Sequence, residues 1–317
     1  MNRGLMRLAV SAAILLPASV PAVINYDANS NSTSYNTSVP VNPGPLDPTL
    51  ALWNHVVEIR KANNDPDASG VYLGNGYILT ANHVTGSRYF IQNTEYFVDN
   101  TFGNGGSVQI TNSQNQGLDL KVVKILSPPG LSGIEMMTNG SSVLSTYSLF
   151  IGFGVGKGTP QPGDPSTQGW TWGGSTTADQ RWGRNATLSS TATFNGNPNV
   201  YLVTVFHPGL FTSPASYNND VYSATVGDSG GGLFQLDNGV WKLAGIATNV
   251  SVVGSSYYDR DLSTFGYQPD ATYYVSMPAT YNRILAVIPE PAPTGLLVVA
   301  VALFGFRGFK RIRHSRA

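Results

Sequence analysis

The sequence contains no cysteine. That excludes a disulfide framework, a thiolate zinc site and a cysteine nucleophile. Charge is sparse as well. Asp, Glu, Lys and Arg make up 11% of the 317 residues, and 18 bases cancel 18 acids to a formal net charge of zero. With an apolar fraction of 41%, this is not the composition of a disordered polyelectrolyte. Histidine is scarce: His55, His83, His207 and His314 are the only four, so imidazole chemistry has few places to reside. What the chain has instead is glycine and proline, 35 and 20 residues, with abundant Asn, Ser and Thr. This composition favours short strands joined by turns over helices. The length suffices for one large or two small domains with a substantial core.

The zero net charge hides an asymmetry. Seven of the 18 cations but only Glu290 of the acids lie in residues 1–22 and 289–317, so the chain between them is net acidic. A nucleic-acid partner, which needs a basic domain, is therefore not expected. The two ends read as addresses. Arg3 and Arg7 precede an apolar run and then small residues around Ala18 and Ala22, the layout of a secretory signal peptide over residues 1–22. Residues 23–49 are polar and punctuated by proline, which reads as a flexible spacer. At the other end, Pro289, Glu290 and Pro291 lead into an apolar stretch of about 13 residues and then five Arg and Lys. The stretch is short against the roughly 20 residues of a comfortable bilayer span. The cations behind it would stay on the cytoplasmic side.

These three C-terminal parts in this order resemble the PEP-CTERM sorting signal of Gram-negative bacteria. The resemblance covers residues 289–317. It implies export, transient insertion of the short helix into the inner membrane, and removal of the tail by an exosortase-type enzyme; a permanent tail anchor is the alternative. The expected destination is the periplasm, the cell surface or the extracellular matrix.

Between the addresses, residues 50–288 form one candidate domain. β-type runs recur between turn signals at 71–73, 77–80, 89–91, 121–126, 148–153, 200–206, 232–235, 241–247 and 273–277. No helical periodicity interleaves them, which argues for an all-β barrel or sandwich. Residues 278–287 read as a short closing helix. Residues 155–198, rich in Gly, Pro and Thr and carrying Trp170, Trp172 and Trp182, read as a long hairpin or loop insertion.

Chemistry is signalled at three places. Residues 74–84 (GNGYILTANHV) end a β-run on His83 among small residues. Residues 117–125 (GLDLKVVKI) place Asp119 at the opening of an apolar strand, where a carboxylate is costly to bury without a partner. Residues 227–233 (GDSGGGL) set Ser229 among glycines, which let the backbone turn sharply and present a hydroxyl and successive N–H groups. Taken singly, each has a plainer explanation: a structural His, a surface Asp, a Gly-rich turn.

In order and in local context the three resemble the trypsin/chymotrypsin-like serine peptidases. The resemblance spans residues 50–288 and is most specific at His83 and Ser229. It implies two six-stranded antiparallel β-barrels with a short C-terminal helix, and an active site in the cleft between them. It further implies a catalytic triad of His83, Asp119 and Ser229, and an oxyanion hole from the backbone N–H groups of Gly227 and Ser229. Asp228 would shape the nucleophile turn and pair with an N-terminal amine released by processing. Ser223 would sit at the base of the primary specificity pocket, with Thr248, Asn249 and Val250 as one wall and Thr272 on another. The partner would be a peptide or protein substrate, and no cofactor or metal is implied. With no carboxylate at Ser223 and bulkier walls, small or medium apolar side chains should be preferred over Arg or Lys.

The chain departs from many animal members in having Val84 after the His, where they carry a cysteine, so stability must come from the core or from bound ions. The Asn/Asp-rich residues 63–67 read as a solvated loop, with calcium binding the alternative. Two other readings compete. Residues 227–231 also fit the G-x-S-x-G elbow of α/β-hydrolases, but that fold needs its His after the Ser, and only His314 in the basic tail follows. A non-catalytic, protease-like surface or exopolysaccharide-associated binding protein is the second.

Overall fold

The computed structural model describes residues 24–25, 36–41, 44, 47–139, 147–160, 167–187, 189–194, 197–207, 221–251, 254–259 and 270–288. The expected signal peptide (1–22) and the C-terminal sorting segment (289–317) lie outside the described residues.

The fold is all-β with one short C-terminal helix. Two strands and a turn of helix open it: β1 (Ile24–Asn25), α1 (Leu50–His55) and β2 (Val56–Arg60). β3 (Pro66–Gly74), β4 (Tyr77–Thr80), β5 (Arg88–Ile91), β6 (Thr94–Tyr96), β7 (Ser107–Thr111) and β8 (Gly117–Lys124) follow. With β2 they make a seven-stranded antiparallel sheet in the order β6-β5-β2-β3-β4-β8-β7.

The second half supplies β9 (Tyr147–Gly152), β10 (Lys157–Pro160), β11 (Thr167–Trp172), β12 (Arg181–Ala186), β13 (Ser189–Phe194) and β14 (Asn197–Val205). It continues with β15 (Tyr222–Ser223), β16 (Gly232–Asp237), β17 (Val240–Val250), β18 (Ser255–Asp259), β19 (Ala271–Ser276) and α2 (Met277–Val287). Seven of these strands form a second sheet in the order β12-β9-β16-β17-β19-β14-β13. The strand ladders among the described residues therefore give two seven-stranded sheets in open order, and no ladder closes either into a six-stranded barrel.

Alternation along the strands sets both faces. In β8, Leu118, Leu120 and Val122 are buried, while Asp119 and Lys121 point to the other face and are only half-buried. One apolar cluster joins the sheets: Val71, Leu79, Leu118, Leu120 and Val122 from the first meet Leu149, Ile151, Phe234, Ile246 and Val275 from the second. Met277 and Ile284 carry α2 into the same cluster. Pro278 stands at the start of that helix, where its missing N–H costs nothing, and Arg283 reaches back to Asn115 of the first half.

Two expectations are corrected. Residues 155–198 are not a single insertion. They contain β12 and β13, the two edges of the second sheet, and β10 and β11, which pair with β18 in a separate three-stranded sheet. Their Gly- and Thr-rich composition masks strands that nonetheless bury Trp170, Arg181 and Trp182. The expected spacer is anchored at several points. Ile24 pairs with Ser223 and is fully buried, Trp182 bonds to the backbone of Asn36 and Ser38, and Asp47 pairs with Arg184.

Candidate active site

Three separate elements converge. The strand β4 runs into the turn that carries His83, β8 carries Asp119 on its half-buried face, and the turn entering β16 carries Ser229. Asp119 Oδ2 lies 2.7 Å from His83 Nδ1, and Asp119 Oδ1 accepts from the His83 backbone N–H at 2.9 Å. A carboxylate only accepts, so Nδ1 carries the proton. In the neutral ring Nε2 is then the acceptor, and it lies 2.9 Å from Ser229 Oγ. The three residues expected as a triad are thus in hydrogen-bonded sequence. The imidazole is half exposed. The bond to Asp119 raises its pKa above the usual 6.5; partial burial and Lys121 oppose that rise, and Asp67 adds to it.

The His83 turn is clamped from both sides by residues that sequence reasoning did not single out. Asp67 Oδ2 accepts from Thr85 N and Gly86 N at 3.2 and 2.6 Å, and Lys121 Nζ donates to Val84 O at 2.6 Å. Asp67 closes the stretch expected to be a solvated loop. Its carboxylate instead faces the turn that follows His83. Lys121 stands two residues from Asp119, so strand alternation puts both on one face.

The Ser229 turn is held differently. Asp228 is fully buried and accepts from Gly154 N, Thr225 N and Thr225 Oγ1 at 2.9, 2.9 and 3.1 Å. Burial pushes its carboxyl up to about 6, against those bonds and the nearby Arg181. Backbone and hydroxyl donors thus stand around the carboxylate that the family resemblance assigns to an N-terminal amine. Val155 N donates to Val226 O at 2.7 Å, and Gly231 N donates to Asp228 O at 2.8 Å. In a planar trans peptide the N–H points opposite the C=O. These bonds therefore fix the directions of the Gly227 and Ser229 N–H groups. Neither N–H donates to an acceptor among the described residues.

Ser223, Thr248, Asn249, Val250 and Thr272 lie on β15, β17 and β19. Val250 pairs with Thr272, and Thr272 Oγ1 accepts from Ala224 N at 3.3 Å, which ties β15 to the same patch. Ser223 is 1% exposed, with its hydroxyl turned to Ala224 O. A bulge interrupts the β17–β19 ladder at Thr248, and the Asn249 side-chain amide nitrogen is buried there with no acceptor among the described residues. Two surface cavities, of about 310 and 400 Å³, lie elsewhere. The first is lined by Trp53, Phe90 and Phe153 and the second by Tyr89, Phe97 and Lys121, and neither takes in a triad side chain.

Of the other histidines, His55 is buried and both its ring nitrogens meet backbone carbonyls, of Ala51 and Ser132. His207 follows β14, and His314 lies outside the described residues. Among the described residues, no group of three or more His, Asp or Glu is placed to hold a metal ion. No protein-family model and no curated protein matches the chain.

Proposed function

We propose that this chain is an exported serine endopeptidase of the chymotrypsin-like kind, cleaving peptide bonds through an acyl-enzyme. The observation that carries the reading is the relay Asp119–His83–Ser229, with 2.7 and 2.9 Å links between side chains drawn from both sheets. A Ser hydroxyl needs an adjacent base to attack at neutral pH. His83 takes that proton and returns it to the leaving amine, while Asp119 holds the tautomer and stabilises the imidazolium. The Gly227 and Ser229 N–H groups receive the oxyanion. Ser223 offers no charge for a substrate Arg or Lys, so small or medium apolar residues are preferred before the scissile bond. Export and tail removal rest on the two terminal segments of the sequence.

The test is labelling by a fluorophosphonate, followed by peptide-library cleavage. Labelling should be lost in Ser229→Ala, and turnover should fall by on the order of 10⁶. Near-normal turnover in Ser229→Ala refutes the assignment, and an unlabelled folded protein favours the non-catalytic binding reading. Strong cleavage after Arg or Lys would overturn the pocket alone.

A further inference from the structure

Ser69, in the middle of β3, is fully buried, and all of its polar groups are engaged. Its N–H donates to Ser229 O at 2.8 Å, and its carbonyl accepts from Thr80 Oγ1 at 2.7 Å. Its hydroxyl lies 2.8 Å from Gly227 O and 2.8 Å from Phe153 N. The direction of both bonds follows without seeing hydrogens. The amide of Phe153 can only donate and the carbonyl of Gly227 can only accept, so the hydroxyl proton goes to Gly227 O.

That single hydroxyl therefore ties the first sheet to the segment after β9 and to the nucleophile turn. Its place in the turn matters. The Gly227–Asp228 peptide is held at its carbonyl by the Ser69 hydroxyl and at its N–H by Thr225 O, and the Ser229–Gly230 peptide at its carbonyl by the Ser69 N–H and at its N–H by Ala247 O. The peptide between them carries the Ser229 N–H. Gly227 sits at φ +91, a conformation with little intrinsic stiffness, so its neighbouring peptides need external partners to stay in one orientation.

We propose that Ser69 is a positioning residue of the oxyanion site. By holding the Gly227 carbonyl, its hydroxyl keeps the Gly227 and Ser229 N–H groups presented to the developing oxyanion. This rests on the peptidase reading and extends it to a residue outside the triad. Without the hydroxyl, the carbonyl of half-buried Gly227 and the N–H of half-buried Phe153 lose their partner, and the Gly227–Asp228 peptide keeps only its Asp228 N–H bond to Thr225 O.

The experiment compares the full chain with Ser69→Ala and Ser69→Cys, reading the rate of fluorophosphonate labelling against pH and the thermal midpoint. Ser69→Ala should lower the plateau labelling rate about 10- to 100-fold, short of the effect of losing an oxyanion donor outright. The acid limb should keep its position, because His83 and its partners are untouched. Ser69→Cys, whose somewhat larger thiol takes the same position but donates weakly, should fall between the parent and Ser69→Ala. If Ser69→Ala does not fold, Ser69→Cys decides, with a plateau below the parent's as the expected result. A lowered midpoint with an unchanged labelling rate in the folded variant means Ser69 is merely structural and overturns the proposal. An unlabelled parent protein sinks the peptidase reading and this one with it, whereas a labelled parent with an unaffected variant sinks this one alone.

Discussion

The turn that carries His83 and the turn that carries Ser229 face each other across the sheets but are fixed by opposite means. Around His83 the partners are charged and partly exposed: Asp119, Asp67 and Lys121 hold the ring and the three residues after it. Around Ser229 they are buried and mostly backbone: Val155, Gly231 and Ala247 bond peptide groups of the turn, and Ser69 bonds two of them. Asp228 and the nearby Arg181 are both sealed from solvent. In the proposed reaction His83 must gain and lose a proton, and charged neighbours surround it. In the same proposal the Ser229 turn must hold its N–H groups still, and backbone bonds and close packing serve that. The first turn should therefore be sensitive to pH and salt, and the second to side-chain volume.

Removing the charge of Asp119 breaks the first turn hardest. Asp119→Asn keeps the shape but loses the acceptor pair that selects the Nδ1–H tautomer, and turnover should fall by about 10⁴. The same bond raises the His83 pKa, and only the neutral ring accepts the Ser229 proton. Activity of the unaltered protein should thus rise with pH through a value above 6.5, and the residual activity of Asp119→Asn should rise at lower pH. An acid limb that stays in place in a pH–rate profile would show that another group sets it.

Packing is the weak point of the second turn. Gly230 has φ +89, and a Cβ there would collide with the Ser69 carbonyl and the Thr80 hydroxyl. The neighbour is backbone of a central strand and cannot yield cheaply. Gly230→Ala combines left-handed strain of about 1–2 kcal/mol with overpacking of about 1–3 kcal/mol, so a loss near 3 kcal/mol is expected in denaturant unfolding. A stability within about 0.5 kcal/mol of the parent would mean that the turn relaxes freely, contrary to its packing.

The same division explains what could be read from the sequence. His83, Asp119 and Ser229 were legible because each stands in a short local pattern, and the structure brings them into hydrogen-bonded order. The all-β class was legible from turn spacing and strand runs. The docking of Ile24 beside Ser223 was not, since a two-residue strand in a polar stretch carries no periodicity. Nor were β12, whose Arg, Gly and Asn residues break the apolar alternation of a strand, and β13, whose Ser and Thr residues mimic a loop. Asp67 and Ser69 were hidden for another reason. Each acts through partners far away in sequence, 19 residues to Gly86 and 158 to Gly227, and neither is flagged by its own neighbours.

The smallest expected effect separates charge from geometry at the His83 turn. Asp67 and Lys121 both touch the turn, and they act on the imidazole with opposite sign: Asp67 favours its protonated form and Lys121 disfavours it. Asp67→Asn keeps oxygen toward Thr85 and Gly86 and removes only the charge, so the acid limb of the pH–rate profile should move to lower pH. Lys121→Met removes the opposing charge and should move it to higher pH, although the bond to Val84 O is lost as well. Plateau turnover should change by less than about 1 kcal/mol in each, the scale of partly exposed charge pairs. Such interactions are screened, with a Debye length of about 3 Å at 1 M salt, so both displacements should shrink together as salt rises. Displacements in the same direction, or ones that persist unchanged in 1 M salt, would mean that the two residues act by bracing the backbone of residues 84–86 rather than through their charge.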